Sequence, residues 1–168
     1  LKMHADMFRR TDRPAGAWKR RDNTIEERTA EGRWVTRFVP VSAAETPRFI
    51  EELCVRFNRL WEEGRVDRLL LIHAFVLDFL CIHPFTDGNG RVSRLLTVLL
   101  LHRAGYEVGR YVSLEKMIED SQATYYEVLQ KSSDGWLEGR HRLLPWWEYV
   151  LGVLLASYKE LESSTAAV

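Results

Sequence analysis

The stretch LLLIHAFVLDFLCI, residues 69–82, constrains the fold of this chain more than any other. It is apolar on almost every side, and too long and Leu-rich for a typical strand. It therefore predicts a central helix over 67–82, buried all round. It is too short to span a bilayer, and it carries His73 and Asp78. Before it, Thr46-Pro47 reads as an N-cap followed by proline at the first helical position. Phe49, Ile50, Leu53, Cys54, Phe57, Leu60 and Trp61 then mark one face of an amphipathic helix ending near Gly64. After it, RVSRLLTVLLLHRA predicts a helix to Gly105, and Ser113 caps the short LEKMIED. SQATYYEVLQKSS gives another helix ending near Gly135, and Pro145 opens a last one, WWEYVLGVLLASYKELES. NTIEE and RWVTRFV, with TAEG as the turn between them, predict a hairpin at about 23–39. The fold class is mainly α: one domain over 1–168, a helical bundle with a small β-hairpin. The chain opens at Leu1 on what reads as the end of a helix, as a fragment of a longer chain would.

Composition excludes some functions. Formal net charge is zero, so no global field draws in nucleic acid or a membrane, and neither is expected as a partner of this segment. The start, LKMHADMFRR, lacks the apolar core of a signal peptide. Cys54 and Cys81 both fall in apolar helical patterns and read as two buried thiols in a reducing compartment. The expected location is cytoplasmic.

Between two buried helices lies HPFTDGNGRVSR, residues 83–94. A polar loop there needs partners for its backbone groups. Gly88 and Gly90 bring main-chain N–H groups close to a bound group, and consecutive N–H groups leading into a helix form an anion site. Arg91 and Arg94, three apart on the first turn, reach the same side with forked donors suited to phosphate oxygens. Asp87 beside this nest is suited to hold Mg²⁺. His83 can accept a proton at neutral pH, Pro84 restricts its backbone, and Phe85 can anchor the loop in the core. A base, a metal ligand, an anion nest and a charge clamp are the parts that phosphoryl or nucleotidyl transfer requires. A dinucleotide fingerprint fails, because Ser93 stands at the third glycine and a helix precedes the motif. A Walker loop fails for want of Gly-Lys-Ser/Thr.

The same residues resemble the Fic family, whose signature is His-Pro-Phe-x-Asp/Glu-Gly-Asn-Gly-Arg-x-x-Arg. His83, Pro84, Phe85, Asp87, Gly88, Asn89, Gly90, Arg91 and Arg94 match it without a gap. The resemblance extends over most of 14–150: AGAWKRRDNTIEE…RFVP resembles the flap hairpin, and YVSLEKMIED…YYEVL the helices that follow the motif in bacterial members. It implies a helical Fic fold and transfer of AMP from ATP to a Tyr, Thr or Ser hydroxyl of a target protein, releasing pyrophosphate. His83 would deprotonate the hydroxyl. Asp87 would hold Mg²⁺ bridging the α- and β-phosphates. Gly88, Asn89 and Gly90 would cradle the phosphates, Arg91 the β-phosphate and Arg94 the γ-phosphate. Tyr126 would lie near the adenine with Leu129 beside it; Ser133 departs from the Asn common in the family. The hairpin around Asn23, Thr24 and Ile25 would hold the target by strand addition. Gly90 favours AMP transfer over the γ-phosphate transfer of Doc-like members, which carry Lys there.

Many relatives are inhibited by a helix bearing Ser/Thr-x-x-x-Glu-Gly/Asn. Glu31-Gly32, Glu63-Gly64 and Glu138-Gly139 all lack the Ser or Thr. Such a helix would come from upstream or from a partner, or the domain is unrestrained, and Arg94 is expected to be free. Homo-oligomers are compatible with the resemblance. Alternatives are another nucleotide or phosphodiester donor, AMP removal, or a non-catalytic nucleotide-sensing module. His73 and His102 read as core or helix-end residues, and His73, Asp78 and His83 match no familiar ligand spacing. Trp136, Trp146 and Trp147 read as packing. Of Tyr125 and Tyr126, one is core, and spacing leaves open which. Lys19, Arg20 and Arg21 read as a solvated loop.

Overall fold

The computed structural model describes residues 1–13, 15–29 and 31–166. Pro14 of the expected loop and Ala30 of the expected turn lie outside these residues. In chain order the elements are α1 (Lys2–Phe8), β1 (Ile25–Arg28), β2 (Trp34–Phe38), α2 (Thr46–Glu63) and α3 (Arg68–Ile82). Then follow α4 (Asn89–Arg103), a 3-10 turn at Val108–Arg110, α5 (Leu114–Asp120), α6 (Gln122–Ser133) and α7 (Leu144–Ala166). Among the described residues no helix is long and apolar enough to cross a membrane.

The apolar helix takes the centre, as its composition requires. α3 packs against α2, α4, α6 and α7, and Ile72 and Leu77 are wholly buried. Burying one such side chain contributes about 1.5–3 kcal/mol. Asp67 starts the helix by accepting from the N–H groups of Leu69 and Leu70. Three apolar clusters surround it, and Phe75 borders all of them. One of them, with Val41, Leu53, Phe79, Ile82 and Val92, receives Phe85 from the motif. The indole N–H groups of Trp146 and Trp147 donate to the α3 carbonyls of His73 and Leu70 at 2.8 and 3.0 Å. That of Trp136 donates to Asp78 Oδ1 at 2.7 Å. These tryptophans are packing residues, as expected. His73 is buried with Nδ1 2.7 Å from Leu69 O, and His102 is exposed at the end of α4.

The hairpin pairs β1 and β2 antiparallel, Glu26 opposite Thr36, Glu27 opposite Val35 and Arg28 opposite Trp34, with an irregularity between Ile25 and Glu26. Only Phe38 packs on the bundle core, so most of this flap is exposed on both faces.

Three local expectations change. Thr46 is inside α2 rather than its cap: the cap is Glu45, without a side-chain bond, and the Thr46 hydroxyl donates to Ser42 O at 2.8 Å. Cys54 is exposed and only Cys81 is buried. One step along a helix turns about 100°, which carries Cys54 off the stripe that Leu53 occupies. Lys19 is buried, only 3% exposed, while Arg20 and Arg21 beside it are exposed as expected.

Candidate functional site

The site begins where α3 stops. His83 caps α3 with its N–H on Phe79 O (3.0 Å) and adopts φ 51°, ψ 59°. Among the described residues it is the one non-glycine with positive φ. Proline at the next position disfavours a right-handed helical backbone. The chain turns left-handed here, a strained choice of the kind that accumulates at functional sites. The bend aims the ring back over the last turn, with Nδ1 3.2 Å from Leu80 O. A carbonyl only accepts, so Nδ1 carries the proton and Nε2 keeps a free lone pair. Burial lowers the imidazole's pKa to about 4, opposed by the Leu80 bond and reinforced by the Lys19 ammonium. The ring is therefore neutral, and an acceptor, at physiological pH.

The loop is tied down from within. Asn89 is buried, and its amide makes a reciprocal pair with Phe85: Phe85 N–H to Oδ1 at 2.9 Å and Nδ2 to Phe85 O at 2.8 Å. Its side chain is thus a staple of the loop, and only its main chain faces the nest. Phe85 is buried with its ring stacked on His4, centroids 3.9 Å apart and 5° from parallel. The His4 ring also bridges two segments. Its Nδ1 accepts from Gly16 N–H (2.9 Å), so its Nε2–H donates to Asp87 O (3.0 Å). Gly88 has φ 83°, and a Cβ there would lie 2.7 Å from Phe8 and 2.8 Å from Met7. Glycine is required both for the turn and for the close approach of α1.

α4 then starts at Asn89, its first main-chain bond running from Val92 N–H to Gly88 O (2.9 Å). The N–H groups of Asn89, Gly90 and Arg91 precede that bond, as the orphan donors of a helix N-terminus do. Asp87 is half-exposed beside them, paired with Arg13 and, at 3.4 Å, with Arg91. Burial pushes its carboxyl up, but the Gly88 N–H bond, Arg13 and Arg91 together outweigh this and hold it below the usual carboxylate range. A lone, ionised, accessible carboxylate next to an anion nest fits Mg²⁺, which takes few protein ligands and completes its shell with phosphates and water. Among the described residues no cluster of three His, Cys, Asp or Glu side chains is built to hold a metal unaided. The Arg91 guanidinium also lies 4.6 Å over the Phe8 ring.

Arg94 is not free. Its Nε and Nη2 both lie 3.0 Å from Glu115 Oε1, on α5. Ser113 caps that short helix by accepting from Lys116 N–H at 3.2 Å. Glu115 is followed by Lys116 and so stands outside the Glu-Gly/Asn pattern of the inhibitory helix. A cavity of about 240 Å³ lies below Arg91, Arg94 and Glu115, walled by Ile118, Tyr125 and Tyr149 among others. Tyr125 is the buried member of the tyrosine pair; Tyr126 is exposed on α6 and does not line the cavity, and Leu129 packs partly into the core. Ser133 is buried, its hydroxyl on Gln130 O. Of the flap residues, Thr24 is exposed and Ile25 half-buried. Asn23 instead turns inward, accepting from Lys19 Nζ (2.8 Å) and donating to Phe85 O (3.4 Å).

His4, Arg13, Lys19 and Glu115 are the site residues that sequence reasoning missed. They lie 21 to 83 positions from their partners, a separation that periodicity does not reveal.

With this geometry, the profile of the Fic/DOC family matches residues 1–101, and the chain belongs to that family. A 54-residue stretch is 48% identical to the protein adenylyltransferase Fic of Aedes aegypti, covering 32% of this chain and 10% of that protein. The corresponding identity to the Drosophila melanogaster protein of that name is 46%, over the same shares. A solved Fic family protein from Desulfovibrio desulfuricans superposes with a TM-score of 0.77 at 27% identity, covering 100% of this chain and 47% of that one. A Fic-domain signalling protein from Bacteroides thetaiotaomicron gives 0.71 at 26%, covering 93% and 57%. The chain therefore spans about a tenth of the curated relatives' length and about half of the solved ones.

Proposed function

We propose that this chain transfers the AMP of ATP to a hydroxyl of a target protein. The observation that carries the reading is the His83 tautomer: a neutral ring whose Nδ1 proton is taken by Leu80 O, leaving Nε2 as the acceptor, in the loop that leads into α4. The triphosphate sits on the N–H groups of Asn89, Gly90 and Arg91, with the Arg91 and Arg94 guanidinium groups on its outer phosphates. Asp87 would hold Mg²⁺, which supplies neutralisation of the phosphate charge. His83 Nε2 takes the proton as the hydroxyl oxygen attacks the α-phosphorus. A new P–O bond forms to the target, the bond to the β-phosphate oxygen breaks, and pyrophosphate leaves.

The target's main chain would add to the hairpin edge, which presents Thr24 and Ile25. Asn23 serves differently, bracing the loop beneath the base. Arg94 must leave Glu115 to reach the γ-phosphate; the pair is solvent-exposed on the Glu115 side, so little free energy opposes the exchange. The family likeness to adenylyltransferases supports the same chemistry.

Incubation of a lysate with α-labelled ATP, wild type beside His83→Ala, tests the reading. Labelled protein bands from the wild type, reduced at least about a hundredfold in the variant, are expected. Equal labelling by both chains would end it.

A further inference from the structure

Lys19 grips the base from both sides. Its main-chain N–H donates to Pro84 O at 2.9 Å, and its ammonium donates to Ile82 O at 3.2 Å. Those are the carbonyls of the residues immediately before and after His83. The third contact, from Nζ to Asn23 Oδ1 at 2.8 Å, ties the lysine to the root of the flap. A lysine almost never becomes fully buried without such partners, and this one touches neither the nest nor Asp87. We propose that Lys19 is a positioning residue for the transfer reaction: it pins the carbonyls of the two residues that flank His83, holds His83 in its left-handed bend, and sets a positive charge beside the imidazole.

The first half follows from geometry. A non-glycine in the left-handed region persists only where its surroundings over-determine it. The N–H of His83 is fixed by Phe79 O, and its ring by Leu80 O. Lys19 supplies the remaining restraints, one through its main chain and one through its side chain. Releasing Ile82 O would let the α3 terminus relax and swing the ring away from the nest.

The second half follows from charge. Among the described residues, Lys19 is the charged group whose field reaches the imidazole. Asp22, in the same loop, acts on Lys19, and the Asp87 carboxylate is engaged by Arg13 and Arg91. Burial lowers the Lys19 pKa to about 8, opposed by Asp22, so the ammonium is mostly charged at neutral pH. A cation there disfavours a second one on His83.

The inference rests on the AMP-transfer reading for its kinetic consequence, but its test has an arm that does not. The probe is Lys19→Met, with Lys19→Arg as the conservative variant. The His83 imidazole is followed by NMR against pH, its signal assigned by its loss in His83→Ala. In wild type the midpoint is expected at about 4, set mainly by burial; in Lys19→Met, which removes the ammonium and leaves the burial, it moves up by part of that shift, and in Lys19→Arg it stays near the wild-type value. In parallel, kcat for AMP transfer falls roughly ten- to a hundredfold in Lys19→Met, KM for ATP holds, and Lys19→Arg restores most of the rate. Should Lys19→Met fail to fold, Asn23→Ala, which frees the ammonium from one anchor, is expected to shift the same titration by a smaller amount. An imidazole titration unchanged from wild type in whichever of these variants folds overturns the proposal and leaves Lys19 a strut. If no transfer activity is found in wild type, the AMP-transfer reading fails, and the titration still decides the role of Lys19.

Discussion

As the proposed base, His83 is asked to do two opposed things: stay neutral in a buried place and offer a lone pair to a substrate. The opposition shows in stability. Its folded pKa, about 4, lies below its unfolded value near 6.5. The folded chain therefore binds fewer protons than the unfolded one between those values, and stability is full above pH 6.5 and lost as pH falls toward 4. The expected loss is roughly 3 kcal/mol, and His73, whose pKa burial also lowers, adds to it in the same sense. Urea denaturation at a series of pH values checks this by difference: His83→Ala removes the His83 share and flattens the wild-type slope, and parallel curves for the two chains refute it. Arg94 makes a second residue-scale prediction. Glu115→Gln removes its charged partner, and an exposed pair is worth about 0.2–1 kcal/mol, so ATP affinity measured by calorimetry rises by up to about fivefold. A weaker affinity would show that Glu115 helps to hold the nucleotide. The motif residues were legible because they are contiguous and chemically unusual. Lys19 was not: next to Arg20 and Arg21 it looks like one of three surface cations, and only the fold sets it beneath the base.

At the scale of elements, the motif loop is held between α3 and α4 below and α1 above. α1 is seven residues long and has little helical stability of its own. It is fixed by what it touches: Phe8 and Met7 against Gly88, His4 between Phe85 and Gly16. Gly88→Ala should therefore cost about 1–3 kcal/mol through strain at positive φ and the collision with Phe8. A melting temperature lower by at least about 2 °C is the expected result; an unchanged one would mean that α1 moves aside freely. The helices themselves were readable from apolar spacing, and some of their ends from Gly64 and Ser113; the Asp67 cap was not read. The course of the strained bend at His83 was not, because Pro84 argues locally for an extended residue while tertiary bonds to Leu80, Phe79 and Lys19 select the left-handed one. The cap assigned to Thr46 missed for a similar reason. Its hydroxyl finds Ser42 O, which no pattern within the helix announces.

Across the whole molecule, one buried helix organises the rest. α3 is covered by four other helices and is capped by His83, so in the proposed reaction the rigidity of the core is delivered directly to the base. The hairpin is the opposite kind of structure, two short strands with exposed faces, anchored at its root by Asn23 and at its end by Phe38. A proposed base fixed at the core and a peripheral hairpin rooted on the same loop suit the proposed transfer to a segment of another protein. The most direct test of this account is the fate of the label when the chain is given a modifiable target with ATP labelled at the α- or the γ-phosphorus. The account predicts that α-label enters the target, that γ-label leaves as pyrophosphate, and that His83→Ala transfers neither. Entry of γ-label into the target, or α-label transfer undiminished in His83→Ala, would contradict it.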